Sequence, residues 1–159
     1  MAESAITLSI ITIACIICAT VLVSAMYPAM NRAVSSAVST SVLLGERIET
    51  SVAIIAATNQ SSYGFFWVKN IGSTQLAPSQ IEHSDIFFGE TDNFRRFSYG
   101  SVAPSWNYSI ENDNNRNGRW DFGETIKITI NTSREITRGD YYFKIVLYNA
   151  VSDEYKFSI

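Results

Sequence analysis

The sequence predicts an N-terminal transmembrane α-helix with a short helical stalk, followed by an all-β immunoglobulin-like antiparallel sandwich. Three observations carry this reading. No Asp, Glu, Lys or Arg falls between Glu3 and Arg32. After residue 50 the hydrophobic period changes from helical to alternating, and the chain breaks into seven or eight short runs separated by Gly-, Pro-, Asn- and Ser-containing turns. No second helical pattern interrupts those runs. The expected divisions are 1–31 for the transmembrane helix, 32–49 for the stalk and 50–159 for an extracytoplasmic sandwich.

The strongly apolar residues 5–27 would form a helix roughly 35 Å long at ~1.5 Å per residue, enough to cross a hydrocarbon core of about 30 Å. A buried soluble helix rarely runs this far without a charge. A secretory signal peptide has a shorter apolar run behind a basic segment, whereas the leader here is Met-Ala-Glu, so the segment is expected to be retained. Small residues recur four apart (Ala14 and Cys18, Ala25 and Ala29, Ala33 and Ala37), which permits close helix approach or reflects ordinary membrane composition. Pro28 is expected to bend the helix. Cys15 and Cys18 have redox-type spacing, but inside an apolar helix they read as two small, soft side chains. Beyond Arg32, Val34, Val38, Val42 (or Ser41), Gly45 and Ile48 follow one face of an otherwise polar, serine-rich arm. Such an arm packs on copies of itself or serves as a stalk.

From Thr50 onward Val52, Ile54 and Ala56 alternate with Ala53, Ile55 and Ala57. Residues 63–70 form an aromatic strand, and Pro78 is expected to keep the following segment irregular. Further strands are predicted at 86–88, 94–99, 106–111 and 125–131, with 140–149 and 154–159 as a closing hairpin. Candidates for the space between two sheets are Phe66, Val68, Ile86, Ile126, Ile128, Ile130, Phe143, Ile145 and Phe157.

The charge balance, 12 Lys and Arg against 15 Asp and Glu, contains no basic run and gives a nucleic-acid partner no support. Sequons begin at Asn59, Asn107 and Asn131, which together favour display outside a membrane. Arg32 and Arg47 on the sandwich side weakly point the other way. His83 is the sole histidine and is read as a solvated loop residue beside Glu82. With no catalytic constellation, the chain is not expected to be an enzyme.

The strongest chemical motif lies at 113–124, DNNRNGRWDFGE, which matches D-x-[DN]-x-[DN]-G-x5-E at each fixed position. Asp113, Asn115 and Asn117 would supply side-chain oxygens, Arg119 its backbone carbonyl, Asp121 a direct or water-borne contact, and Glu124 both carboxylate oxygens. This hard oxygen set suits structural Ca²⁺. Trp120 stands where an aliphatic residue is usual, and strands flank the loop, so it is no EF-hand pair. The alternative is an Asn- and Gly-rich surface turn.

A short leader, one apolar helix, a brief stalk and a small β-sandwich together resemble the archaeal flagellar (archaellum) accessory family of FlaG and FlaF, closest to FlaG. The stretches that carry the resemblance are 66–89, FWVKNIGSTQLAPSQIEHSDIFFG, and 139–159, GDYYFKIVLYNAVSDEYKFSI. The resemblance implies a stator: a protein of the cell membrane whose sandwich lies outside, in the pseudoperiplasm. There it would hold copies of itself, the related protein FlaF or the surface-layer protein, and so anchor a rotary filament motor. A filament subunit of the archaellin or pilin kind is the first alternative. Its usual processing signal is missing apart from Glu3. A membrane-tethered adhesin or binding module is the second.

Overall fold

The computed structural model describes residues 2–159. Met1, the first residue of the expected 1–31 segment, lies outside the described residues. The chain divides into two compact units, one ending at Leu43 and the other Leu44–Ile159.

Helix α1, Ala2–Glu49, passes through Pro28 without ending. Every described side chain of 3–43 is exposed, including Ile6, Leu8, Ile10, Ile13, Ile17, Val21 and Leu22. A helix apolar all round and unburied is suited to lipid, and α1 is long and apolar enough to cross a membrane. Its hydroxyls are absorbed by its own backbone. Thr7, Ser9, Thr12 and Ser24 each donate to the carbonyl four residues earlier, at 2.7–2.9 Å, and Thr20 donates to that of Ile17 at 2.9 Å. This back-bonding keeps polar side chains satisfied without water.

The second unit contains β1 (Val52–Gln60), β2 (Tyr63–Asn70), α2 (Pro78–Glu82), β3 (Asp85–Glu90), β4 (Asn93–Tyr99), β5 (Ser105–Ile110), β6 (Thr125–Asn131), β7 (Asp140–Val146) and β8 (Ser152–Ser158). The strands form a β-sandwich. One sheet runs β1-β2-β6-β5 and the other β4-β3-β7-β8. They are joined by a short parallel ladder, Ser98↔Ser105 and Tyr99↔Trp106. At the opposite side the two sheet margins approach, where the Ile54 N–H donates to Asp153 Oδ2 at 2.8 Å.

Clean alternation builds the core. Phe66 and Val68 of β2, Ile126, Ile128 and Ile130 of β6, Ile86 of β3, and Phe143 and Ile145 of β7 are all buried, while Phe157 is half-buried against them. Phe66 links the sheets: its ring stacks on Phe143 at 3.8 Å and meets Phe88 and Phe157 edge-on at 5.3 and 5.8 Å.

Two expectations are corrected. The strict alternation read into β1 fails, because the register shifts between Ile54 and Ala56. Ile55 is the extra, exposed residue, and the inward phase moves from Ile54 to Ala57. The expectation that no helix follows residue 50 is also overturned by α2. Pro78 starts that turn where its missing N–H costs nothing. Gln80 Oε1 accepts the Ala77 N–H at 2.8 Å, and Ile81 is fully buried beneath it. β7 stops at Val146, where the Leu147 N–H closes a turn onto the Val151 carbonyl at 2.8 Å.

Candidate functional site

A helix C-terminus leaves carbonyls without intrahelical partners, and the last turn of α1, itself part of the Leu44–Ile159 unit, gives them to loops of that unit. The Glu46 carbonyl accepts the Thr50 N–H at 3.0 Å and the Thr50 hydroxyl at 2.6 Å. The Glu49 carbonyl accepts the N–H groups of Ser73 and Thr74, at 2.8 and 3.3 Å, and the Ser51 carbonyl those of Ile71 and Gly72, both at 2.9 Å. Thr50 is buried; Asn149 Nδ2 donates to its Oγ1 at 2.8 Å, and Thr74 Oγ1 lies 3.1 Å away. Backbone therefore lies directly on backbone. A Cβ at Gly72 would sit 2.3 Å from Ser51 N and 2.4 Å from the Glu49 carbonyl oxygen, so this clasp requires glycine.

Asn70, fully buried at the end of β2, joins the clasp to the 113–124 loop. Its Nδ2 donates to the Thr74 and Trp120 carbonyls at 2.8 and 3.0 Å, and its Oδ1 accepts the Gly72 N–H at 3.0 Å. Its backbone exchanges bonds with the loop: Asn70 N–H to the Glu124 carbonyl at 2.9 Å, and Gly123 N–H to the Asn70 carbonyl at 2.8 Å. Leu76 and Trp120 add an isolated antiparallel bridge. The aromatic departure at Trp120 has a physical reason. The ring is fully buried, and its Nε1 donates to the Glu124 carbonyl at 2.9 Å, so the loop is plugged into the core.

The structure draws the motif residues into one tight turn, with Arg116 and Gly118 at φ 55° and 69°. Asp113 accepts the N–H groups of Asn117 and Gly118 at 3.2 and 2.9 Å. Asn115 Oδ1 accepts the Asn117 N–H at 3.1 Å, and Asn117 Oδ1 that of Arg119 at 2.7 Å. The Arg119 guanidinium turns to Gln75 at 3.1 Å. Glu124, buried, uses both oxygens on the N–H groups of Asn114 and Asp121, each at 3.1 Å. Asp121 Oδ2 receives Nδ2 of Asn115 and Asn117 at 2.6 and 2.9 Å. Asp121 Oδ1 is shielded from solvent and has no hydrogen-bond partner among the described residues.

Burial by itself would raise the Asp121 carboxyl. The nearby carboxamides of Asn115, Gln75 and Asn117 and the charge of Arg119 outweigh it and hold the group below its ordinary value. With the folded pKa depressed, this support is complete above the ordinary aspartate range and lost as pH falls through the folded value. The donor set is all oxygen, which fits Ca²⁺ rather than zinc. Among the described residues no three His, Cys, Asp or Glu gather as a metal-holding group, so a cation would depend on the Asn carboxamides turning their oxygens inward.

The clasp residues Thr50, Asn70, Gly72, Thr74 and Asn149 escaped the sequence reading, and Asn-Ile-Gly straight after an aromatic strand was the one available signal. His83 caps α2, its Nδ1 donating to the Ser79 carbonyl at 2.5 Å. Cys15 and Cys18 are both free on α1.

Comparison with known proteins agrees with this picture. The family model of archaeal-type flagellin matches residues 2–157. A protein of Archaeoglobus fulgidus is 32% identical over 159 residues, covering 95% of each chain. Among solved structures, the archaellum periplasmic stator protein FlaG of Sulfolobus acidocaldarius superposes with a TM-score of 0.58 at 25% identity, covering 68% of this chain and 99% of that one. The complex of the archaellum periplasmic stator proteins FlaF and FlaG from the same organism matches with a TM-score of 0.56 at 25% identity, covering 67% and 87%.

Proposed function

The chain belongs to the archaeal-type flagellin family, and on that premise we propose that it is a membrane-anchored stator component of the archaellum. The observation that carries the reading is the clasp. A stator must resist torque, and within the Leu44–Ile159 unit the last turn of α1 is bonded backbone to backbone into a sandwich of the kind found in the FlaG stator. In this reading α1 spans the cell membrane and the sandwich works outside it, in the pseudoperiplasm. The immunoglobulin-like description rests on the strand order, β1-β2-β6-β5 against β4-β3-β7-β8.

The grip is assigned to the margin of β4. Beyond its ladder with β5, residues 93–97 present an open edge flanked by exposed Phe94, whose ring lies 4.8 Å from Tyr142. An open edge with an apolar flank suits strand addition by another sandwich. Its occupants would be a FlaF-like partner, a second copy or the surface-layer protein. Deleting the gene, or truncating the chain after Gly45, is expected to abolish swimming while leaving filaments assembled, as read by motility tracking and electron microscopy. Cells that swim normally would refute the stator role. The family description favours one other reading, a filament subunit, and that reading requires the chain to be abundant in sheared filaments.

The 113–124 loop is assigned a structural Ca²⁺, held by Asp113, Asn115, Asn117, Asp121, Glu124 and the Arg119 carbonyl. Supporting this are the oxygen-only donors and the orphaned Asp121 Oδ1. Because the loop is tied through Asn70 to the clasp, the ion would stiffen the same junction. At a calcium concentration a hundredfold above Kd, stability should rise by about 2.7 kcal/mol, seen as a chelator-reversible rise in Tm. Glu124→Gln should remove that rise. A melting curve indifferent to calcium and chelator would leave the loop as a surface turn.

A further inference from the structure

We propose that Asn107 carries an N-linked glycan on the folded domain, and that its first sugars lie across Phe65 and Trp67 on the same sheet face. The proposal rests on the outward display argued above. The sequons differ in what they offer. Asn59 is half-buried opposite Gly64 on β1. Asn131 is half-buried with both ends of its carboxamide engaged: Nδ2 donates to the Tyr63 hydroxyl at 3.3 Å, and Oδ1 accepts the Ser133 N–H at 3.0 Å. Asn107 and Ser109 are both exposed, and among the described residues no hydrogen bond engages the Asn107 carboxamide. The backbone is open as well. β5 pairs with β4 through Ser105 and Trp106 alone, so from Asn107 onward one edge of β5 is free to meet a transferase in extended form.

The register sets what the sugar would meet. Asn107 faces Thr129, and Thr129 faces Phe65; Ser109 faces Lys127, and Lys127 faces Trp67. Neighbouring strands are about 4.8 Å apart, so Phe65 lies two strand spacings from the attachment point, within reach of a disaccharide. Lys127 Nζ rests 4.7 Å from the Phe65 ring centroid and 5.5 Å from that of Trp67. Both rings are half-exposed on that outer face, and the C–H face of a sugar can stack on them where it takes the place of the Lys127 ammonium. The glycan would also cover the free edge of β5 and leave the β4 margin as the open one.

The chemistry is a displacement. The Asn107 amide nitrogen attacks C1 of a glycan carried on a polyprenyl phosphate. The C1–N bond forms as the C1–O bond to phosphate breaks, the electron pair leaves with the lipid phosphate, and the amide proton passes to a base of the transferase.

The test uses the full chain, purified in detergent from the archaeal cells that make it, and glycopeptide mass spectrometry. A glycan is expected at Asn107, lost in both Asn107→Gln and Ser109→Ala. Acrylamide quenching should be weaker in the glycosylated chain than in S109A, because Trp67 is half-exposed while Trp106 and Trp120 are 1% and 0% exposed. Bare Asn107 in a sandwich that external protease can cut would overturn the proposal alone. A sandwich shielded from external protease would overturn the outward display together with it. A glycan at Asn107 with unchanged quenching would overturn its placement on Phe65 and Trp67.

Discussion

Phe66→Ala should destabilise the sandwich by about 3–5 kcal/mol, the range for removing a buried phenylalanine. Phe66 is fully buried in β2, yet its main contacts, Phe143, Phe88 and Phe157, all belong to the facing sheet. Among the described residues the two sheets are joined by few polar contacts, a short ladder, the Ile54–Asp153 bond and the marginal Asn149–Thr50 and Arg95–Thr132 bonds, so their apposition depends on this apolar contact. Against a total stability of roughly 5–15 kcal/mol, the loss is large. Urea unfolding of the full chain in detergent, followed by tryptophan fluorescence, should show a much lower midpoint with little change in slope. A midpoint within experimental error of the parent would mean that the aromatic stack is not what holds the sheets together.

Asn70→Ala should cost about 3 kcal/mol. Three neutral hydrogen bonds are lost at roughly 0.5–1.5 kcal/mol each, with a further penalty for a carbonyl left unpaired. Two of the partners keep a second bond: Gly72 N–H still reaches the Ser51 carbonyl, and the Trp120 carbonyl still accepts the Leu76 N–H. Only Thr74 loses its side-chain donor outright, which keeps the estimate at the lower end. The diagnostic readout is local. Amide hydrogen exchange should quicken at Gly72, Ser73, Thr74 and Gly123 before the β6 and β7 core opens. Uniform acceleration across the sandwich would show that Asn70 is an ordinary core residue and not a tie between clasp and loop.

These two residues also mark what could and could not be read from sequence. Phe66 was legible because β2, β6 and β7 alternate without interruption, and alternation states which side chains share a face. The same rule failed at β1, because Val-Ala-Ile-Ile-Ala-Ala is apolar in both phases and the bulge at Ile55 leaves no compositional trace. The turn of α2 was hidden for a related reason: five residues are too few to show a helical period. The 113–124 loop was visible by its spacing, since turn geometry is written in Asn, Asp and Gly. The clasp was not. Most of its bonds run from main chain to main chain, and only Gly72, required by close approach rather than by a left-handed turn, records that they exist.

The self-bonded hydroxyls of α1 carry a consequence for assembly. Thr7, Ser9, Thr12, Thr20 and Ser24 already spend their protons on carbonyls of the same helix, so a lone copy can reside in the bilayer without seeking a neighbour to quench them. In the proposed role, recruitment into a larger machine would then fall to the head, and a head severed from its tail should still recognise its companions while losing its address.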